Sequence, residues 1–191
     1  MSLDFLTDDL LIKNNSFDGP VVVTGAGGCI AAWVLTILHR SHIPCLAIDL
    51  TDNKNRLELL LGNETNKIDW KVCDITHLEK LSKIITSFKP SAIIHLAGLQ
   101  VPFCAENPSL GARVNVEGTI NILEIAKKAN IKRTVYASSV AALGLPPNGP
   151  WKETLYGAYK LANEHTAYVY WSDWQVPSIG IRPNIVYGLA R

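Results

Sequence analysis

Short runs of apolar and β-branched residues alternate with longer amphipathic stretches along most of the chain. Six such runs are bounded by Gly, Pro, Asp or Ser, which is typical of buried β-strands. They lie at 21–23, 45–48, 70–73, 92–96, 134–137 and 178–181. The stretches between them have helical periodicity and predict helices over 28–41, 53–61, 77–88, 107–130 and 155–174.

This β-α alternation predicts an α/β fold with a doubly wound parallel sheet, the Rossmann fold, built in three layers. Right-handed crossovers give the strand order 3-2-1-4-5-6, with a ligand crevice at the carboxyl ends of strands 1 and 4. We expect residues 21–191 to form this domain. Residues 1–20 are an N-terminal extension that either packs on the domain as an amphipathic turn or stays loose.

The composition of the chain excludes several classes of protein. The chain has 191 residues, of which 48% are hydrophobic and 18% are charged, and its formal net charge is +1. Disordered chains are poor in apolar residues, and bulk attraction to nucleic acid needs a clear positive excess, so neither class fits. No apolar run reaches the length that spans a bilayer, and the acidic N-terminus is unlike a secretory signal. We therefore expect a cytoplasmic protein without nucleic-acid or membrane partners.

The four cysteines also argue against secretion and against zinc. Cys29, Cys45, Cys73 and Cys104 are scattered singly, whereas structural zinc sites use ligands at short paired spacings. Such isolated cysteines are typical of reduced, buried thiols in a cytosolic protein. We expect no metal.

A glycine-rich turn follows the first predicted strand, where 24–31 read TGAGGCIA and lead into a helix. Gly25 permits a tight turn, and Gly28 lets the backbone approach a pyrophosphate without a side chain in the way. The N-terminus of the helix then offers unpaired N–H groups and the positive end of its dipole to the phosphates. This context predicts dinucleotide binding; the alternative is an ordinary strand-to-helix turn.

Two acidic residues end the second and third strands. Asp49 lies 24 residues after Gly25, where a carboxylate accepts hydrogen bonds from the adenosine ribose and repels a 2′-phosphate. It therefore favours NAD over NADP; the alternative is that Asp49 is a turn or helix-cap residue. Asp74, followed by Ile75, overhangs the adenine position, where it either accepts from the adenine amino group or caps the helix at 77.

The fifth strand leads into Ser138 and Ser139, and Tyr156 and Lys160 follow one turn apart on one helix face. Hydride transfer from an alcohol needs a base for the hydroxyl proton, and an ammonium about 5 Å from a phenol is worth roughly 3 kcal/mol. We therefore expect Lys160 to lower the pKa of Tyr156. Adjacent strand residues face opposite sides, so only one serine should reach the reacting oxygen. The alternative for Tyr156 is an exposed helix aromatic.

Six segments in this order give the chain a resemblance to a known family. They read TGAGGCIA at 24–31, HLAGLQ at 95–100, NVEGTINILE at 115–124, YASSVAALG at 136–144, YGAYKLANE at 156–164 and IRPNIVYG at 181–188. The chain resembles the extended short-chain dehydrogenase/reductases, and most closely their NAD-dependent epimerase/dehydratase branch, which includes the UDP-galactose 4-epimerases.

The resemblance implies roles beyond those that spacing predicts. Ser139 would complete a catalytic set with Tyr156 and Lys160, and Asn184 would face the substrate. Both Tyr156 and Lys160 would also touch the cofactor. Further cofactor contacts would come from Cys29, Ile30, Leu96, Ala97, Gly98, Asn115 and Pro183.

The function implied is that of an NAD-dependent epimerase or dehydratase acting on a sugar or nucleotide sugar. The alternatives are a simple NAD-dependent sugar or sugar-acid dehydrogenase, and a non-catalytic NAD-binding module. Family members continue well past the motif at 181–188, so we expect a chain truncated before its C-terminal substrate domain. A homodimer through the helices at 107–130 and 155–174 is also implied. Trp171 and Trp174 are expected to pack in the core, and the implied dimer gives them a role in assembly as the alternative.

Overall fold

A computed structural model describes residues 8–12, 19–144 and 153–191. Most of the predicted N-terminal extension therefore lies outside the described residues. The part that is described includes a 3-10 turn at Asp8–Leu10. Ile12 packs on the domain, and its backbone N–H donates to Ser41 Oγ at 2.9 Å. The extension thus contacts the domain at this point.

A parallel sheet forms the centre of the domain. Its strands within the described ranges are β1 (Val21–Thr24), β2 (Cys45–Asp49), β3 (Asp69–Val72), β4 (Ala92–His95), β5 (Arg133–Ala137) and β6 (Ile179–Ile181). The order is β3-β2-β1-β4-β5-β6, with every neighbouring pair parallel. This confirms the predicted fold and strand order.

Helices cover both faces of the sheet. They are α1 (Cys29–Arg40), α2 (Asn55–Leu61), α3 (Leu78–Phe88), α4 (Val101–Glu106), α5 (Pro108–Ala112), α6 (Gly118–Lys128) and α7 (Leu155–Trp174). One core lies between the sheet and α1 and α2, and the other between the sheet and α3, α6 and α7. In the described part of the chain, no helix is both long and apolar enough to cross a bilayer.

The single helix predicted over 107–130 is wrong. Helical structure begins earlier, with α4, and is interrupted at Asn107, whose side chain accepts from Leu110 N at 3.0 Å. Pro108 then starts α5, because proline lacks an N–H and fits the first helical position. A π-helical turn at Arg113–Glu117 separates α5 from α6.

The edges of the sheet also differ from expectation, since the runs at 70–73 and 178–181 were predicted to be buried. β3 and β6 are the two edge strands, and their side chains are largely exposed. Val72, Ile179 and Ile181 are about half exposed or more. An edge strand lacks a neighbour on one side, so its apolar residues find less cover than those of β1 or β4.

The two tryptophans of α7 are not core residues, contrary to prediction. Trp171 and Trp174 are 49% and 47% exposed. Tyr170 occupies the buried position of this turn instead, and the Trp174 ring packs edge-on against it at 4.8 Å between centroids. Lys127 Nζ lies 3.9 Å from the Trp174 ring centroid on the outer side.

Candidate functional site

The glycine turn joins β1 to α1 at the carboxyl end of the sheet. Gly25 has φ +69°, and a Cβ there would lie 2.5 Å from Ala97 N, so only glycine fits this close approach to the chain after β4. Gly28 is the N-cap of α1 and lacks a side chain that could occupy the first amides of the helix. Those amides therefore remain available to an anion in front of the turn.

Two connected cavities lie along this edge, with volumes of about 340 and 460 Å³. They share residues from the glycine turn and from the segment after β4, namely Gly25, Gly28, Cys29, Leu96, Gly98, Gln100 and Arg191. The shared wall makes them two halves of one crevice. We call the half beside β2 and β3 the adenosine half and the half beside β5 the nicotinamide half, after the parts of the dinucleotide that the sequence predicts there. Their size is that of a typical cofactor pocket.

The adenosine half contains both acidic residues predicted from the strand ends. Asp49 Oδ2 accepts from Gly27 N at 2.9 Å, so the carboxylate is fixed beside the glycine turn. Asp74 Oδ1 accepts from Thr76 N at 2.9 Å. This hydrogen bond closes a local turn from Asp74 to Thr76. Asp74 does not cap α3, because His77 occupies the N-cap position of that helix.

Arg56 is a residue of this half that the sequence did not assign to the site. Its Nη1 donates to Gly27 O at 3.0 Å and its Nε to Ala190 O at 2.9 Å. The guanidinium thus braces the glycine turn against the segment at 188–191, which Trp33 also holds through Leu189 O. Only its place near Asp49 in the sequence hinted at a role.

Ser139, Tyr156 and Lys160 meet in the nicotinamide half. α7 packs directly on the short 3-10 helix Val140–Leu143, since a Cβ on Gly157 would lie 2.5 Å from Ala141 O. This contact brings Tyr156 beside Ser139 in the crevice. Lys160 Nζ lies 5.5 Å from the Tyr156 ring centroid.

The two serines have different partners, although both line the nicotinamide half. That only one of them reaches the reacting oxygen stays a prediction. Ser138 Oγ donates to Glu164 on α7, whereas Ser139 lies beside Tyr156. Ser139 Oγ also accepts from Ala141 N at 3.1 Å and so caps the 3-10 helix that borders the crevice.

The electrostatics of the pair differ from the prediction that Lys160 lowers the pKa of Tyr156. Burial raises the pKa of Tyr156, and the hydrogen bond from Ser139 only partly opposes this. Burial also lowers the pKa of Lys160 to about 8, and its Nζ donates to Ala137 O at 2.7 Å. The predicted direction is wrong because the loss of hydration of the phenol outweighs the lowering contribution of Ser139.

Asn115 lies behind the crevice wall and lines neither half. Its Nδ2 donates to Leu99 O at 3.2 Å and to Gly111 O at 3.0 Å. Its Oδ1 is buried without a partner among the described residues, and a Cβ on Gly98 would lie 2.7 Å from it. Asn115 thus requires a glycine at 98, and a contact with the cofactor stays a prediction.

His95 is buried and, like Arg56, was not assigned to the site from the sequence. Its Nδ1 pairs with Thr24 Oγ1 at 2.7 Å and its Nε2 with Thr119 Oγ1 at 3.2 Å. Burial lowers the pKa of His95 to about 3, so the ring is neutral at physiological pH. It is suited to joining β1, β4 and α6 rather than to proton transfer.

The other predicted site residues lie along the same crevice. Every one except Asn115 lines a half of the crevice. Ile30, Pro183 and Asn184 lie in the nicotinamide half, and Ile75 and Ala97 in the adenosine half. Within the residues that the structure describes, no cluster of three or more His, Cys, Asp or Glu is placed to hold a metal ion.

Comparisons with known proteins identify a family that matches this chain. A sequence profile described as "NAD dependent epimerase/dehydratase family" matches residues 21–191. The UDP-glucose 4-epimerase of Mycolicibacterium smegmatis is 28% identical over 176 residues, which are 87% of this chain and 56% of that protein. UDP-glucose 4-epimerase 2 of Oryza sativa subsp. japonica is 29% identical over 157 residues, which are 75% of this chain and 38% of that protein.

Solved structures share the fold. L-threonine dehydrogenase from Clostridium difficile superposes with a TM-score of 0.72 at 25% identity, over 86% of this chain and 52% of that one. UDP-glucose 4-epimerase from Brucella ovis in complex with NAD gives 0.72 at 23% identity, over 86% and 51%. The chain thus spans about half the length of these structures.

Proposed function

Because the chain belongs to the NAD dependent epimerase/dehydratase family, we propose that it binds NAD in the crevice and exchanges a proton with a substrate hydroxyl through Tyr156. The observation that carries this proposal is the meeting of Ser139, Tyr156 and Lys160 in the half of the crevice next to the glycine turn. Residues 21–191 are the cofactor-binding domain in this proposal.

The crevice suits a dinucleotide along its whole length. The amides at the start of α1 face the shared wall, where they would bind the pyrophosphate. Asp49, held by Gly27 N, would accept the ribose hydroxyls and disfavour a 2′-phosphate. Asp74 lines the outer end and would face the adenine. Bound NAD supplies the acceptor for the hydride.

Tyr156 is suited to proton transfer in the nicotinamide half. Its raised pKa keeps the phenol protonated at neutral pH, so it can donate to a carbonyl oxygen. To accept a proton from a hydroxyl, it needs nearby positive charge, and Lys160 is mostly charged at pH 7 because its pKa is about 8. Ser139 would hold the reacting oxygen through its hydroxyl.

We propose a nucleotide sugar as the substrate, since curated relatives are UDP-glucose 4-epimerases. A simple dehydrogenase is the second candidate, and the similarity to an L-threonine dehydrogenase at 25% identity favours it. Both use the same proton transfer and differ in whether the hydride returns to the substrate.

Calorimetry with NAD followed by turnover assays tests these proposals. The purified chain is incubated with NAD and UDP-glucose, UDP-galactose, UDP-glucuronate or L-threonine. NADH absorbance reports net oxidation, and chromatography reports epimerised product. Turnover of one substrate is the expected result. Binding of NAD without turnover would favour the non-catalytic module, and failure to bind NAD would refute the proposed function.

We also propose a homodimer through α6 and α7. Apolar side chains stand on the outer face of α7, where Leu161 is 39% and Tyr168 is 71% exposed. Sedimentation of wild type and of Tyr168→Asp tests this proposal. We expect a wild-type dimer that the substitution weakens, and a wild-type monomer would contradict the proposal.

A cytoplasmic location is supported by the free thiols of all four cysteines, and cell fractionation tests it.

A further inference from the structure

Three residues on successive turns of α7, namely Tyr156, Lys160 and Glu164, lie against the consecutive residues 137–139 at the end of β5. Tyr156 lies beside Ser139 in the nicotinamide half, and Lys160 Nζ donates to Ala137 O. One turn further along, Glu164 accepts from Ser138 Oγ. The first two contacts belong to the proposed catalytic set, whereas Glu164 lines neither half of the crevice. Glu164 therefore acts from behind the site.

Glu164 also reaches the segment that follows β6. Arg182 Nε donates to Glu164 Oε1 at 2.7 Å, and Arg182 Nη2 donates to Oε2. The guanidinium therefore binds both carboxylate oxygens. Arg182 directly precedes Pro183 and Asn184, which line the nicotinamide half. One carboxylate therefore connects α7, the end of β5 and the crevice wall after β6.

The backbone between these strand ends offers few other connections. Ser138 N donates to Ile181 O at 2.8 Å, and Val140 N donates to Pro183 O at a longer 3.3 Å. β6 is an edge strand of three residues, and the side chains after it are largely exposed. The position of Pro183 thus depends strongly on the side-chain bridge through Arg182.

The carboxylate is ionised in this setting. The Arg182 guanidinium, followed by the Ser138 hydroxyl, holds the pKa of Glu164 below its ordinary value despite partial burial. The Glu164 side chain is 18% exposed, so the pair is screened less than a fully exposed one. A bidentate arginine–carboxylate pair also fixes orientation as well as distance.

We propose that Glu164 is a positioning residue that, through Ser138 and Arg182, fixes Ser139 and the segment at 183–184 relative to Tyr156. The proposal rests on the proposed function for its effect on catalysis. Its structural part, that Glu164 orders the segment after β6, is independent of turnover.

Hydrogen exchange and kinetics of Glu164→Ala test this proposal. We expect amide exchange over 181–186 to accelerate at least tenfold and kcat to fall at least tenfold. The Kd for NAD should stay within twofold, because the glycine turn and Asp49 are untouched. Glu164→Gln keeps the side-chain volume and serves if the alanine variant fails to fold. Asp173→Asn removes an exposed acid from the same helix and should change nothing.

A double-variant cycle with Arg182→Ala completes the test. If the pair acts as one unit, Glu164→Ala/Arg182→Ala loses no more kcat than the larger of the single losses. Exchange over 181–186 that stays within twofold of wild type in both Glu164 variants would overturn the proposal. So would faster exchange with an unchanged kcat. A wild type that binds NAD but turns nothing over would favour the non-catalytic module, while the exchange result would still decide the role of Glu164.

Discussion

Replacing Lys160 by Met should change how the stability of the domain depends on pH. Lys160 is 4% exposed, and burial lowers its pKa from 10.5 to about 8. The folded state thus disfavours the ammonium that the unfolded chain carries. A base whose pKa is lowered on folding destabilises the fold below the folded pKa, and this penalty is relieved as the pH rises toward the unfolded pKa.

The size of the effect follows from the two pKa values. Because the pKa of Lys160 is lower in the folded state, the free energy of unfolding is reduced by about 3 kcal/mol at pH 7. This reduction falls to about 1 kcal/mol at pH 10. Wild type should therefore gain about 2 kcal/mol relative to Lys160→Met between these pH values. Loss of the donor to Ala137 O costs the variant about 1–3 kcal/mol at both pH values, so this cost cancels from the change.

Urea unfolding of both proteins at pH 7 and pH 10 measures this change. Tyrosines and other lysines titrate in both proteins, and their contributions cancel in the difference. A stability difference that is the same at both pH values, within about 0.5 kcal/mol, would show that Lys160 is not a buried ammonium. The electrostatic description of the nicotinamide half would then be wrong.

Three further substitutions test the crevice. Asp49→Ala should raise the Kd for NAD about tenfold in calorimetry and reduce discrimination against NADP, whereas the exposed Asp52→Ala should do neither; equal effects would contradict the ribose role. Gly157→Ala places a Cβ 2.5 Å from Ala141 O and should lower the free energy of unfolding by about 1–3 kcal/mol, a loss that unchanged urea midpoints would exclude. Gly25→Ala should abolish NAD binding because of its positive φ and the close backbone behind it, so unaltered binding would refute the tight-turn role.

The features that could be predicted from the sequence depend on local spacing. The strand order follows from the β-α alternation, and the glycine turn follows from a strand that ends at Thr24 and a helix that opens after Gly28. Tyr156 and Lys160 share a helix face because they are one turn apart. These relations need no knowledge of distant contacts.

The features that could not be predicted depend on contacts between distant residues. The pKa of Tyr156 rises because α7 packs on the segment after β5, and this burial is not visible in the spacing of the chain. Arg182 meets Glu164 only once β6 lies beside β5. The exposure of Trp171 and Trp174 likewise follows from Tyr170 taking the buried place. Each of these features depends on tertiary packing, which the local sequence pattern does not show.

A comparison of Tyr156→Phe with Tyr159→Phe tests the central claim most directly, on whichever substrate the wild-type chain converts. The Tyr159 hydroxyl donates to Pro108 O at 2.9 Å, so its loss leaves the crevice intact. We predict that Tyr156→Phe lowers kcat at least 100-fold with the Kd for NAD within twofold, and that Tyr159→Phe keeps kcat within threefold. A Tyr156→Phe protein that turns over as fast as wild type would contradict proton transfer by this phenol.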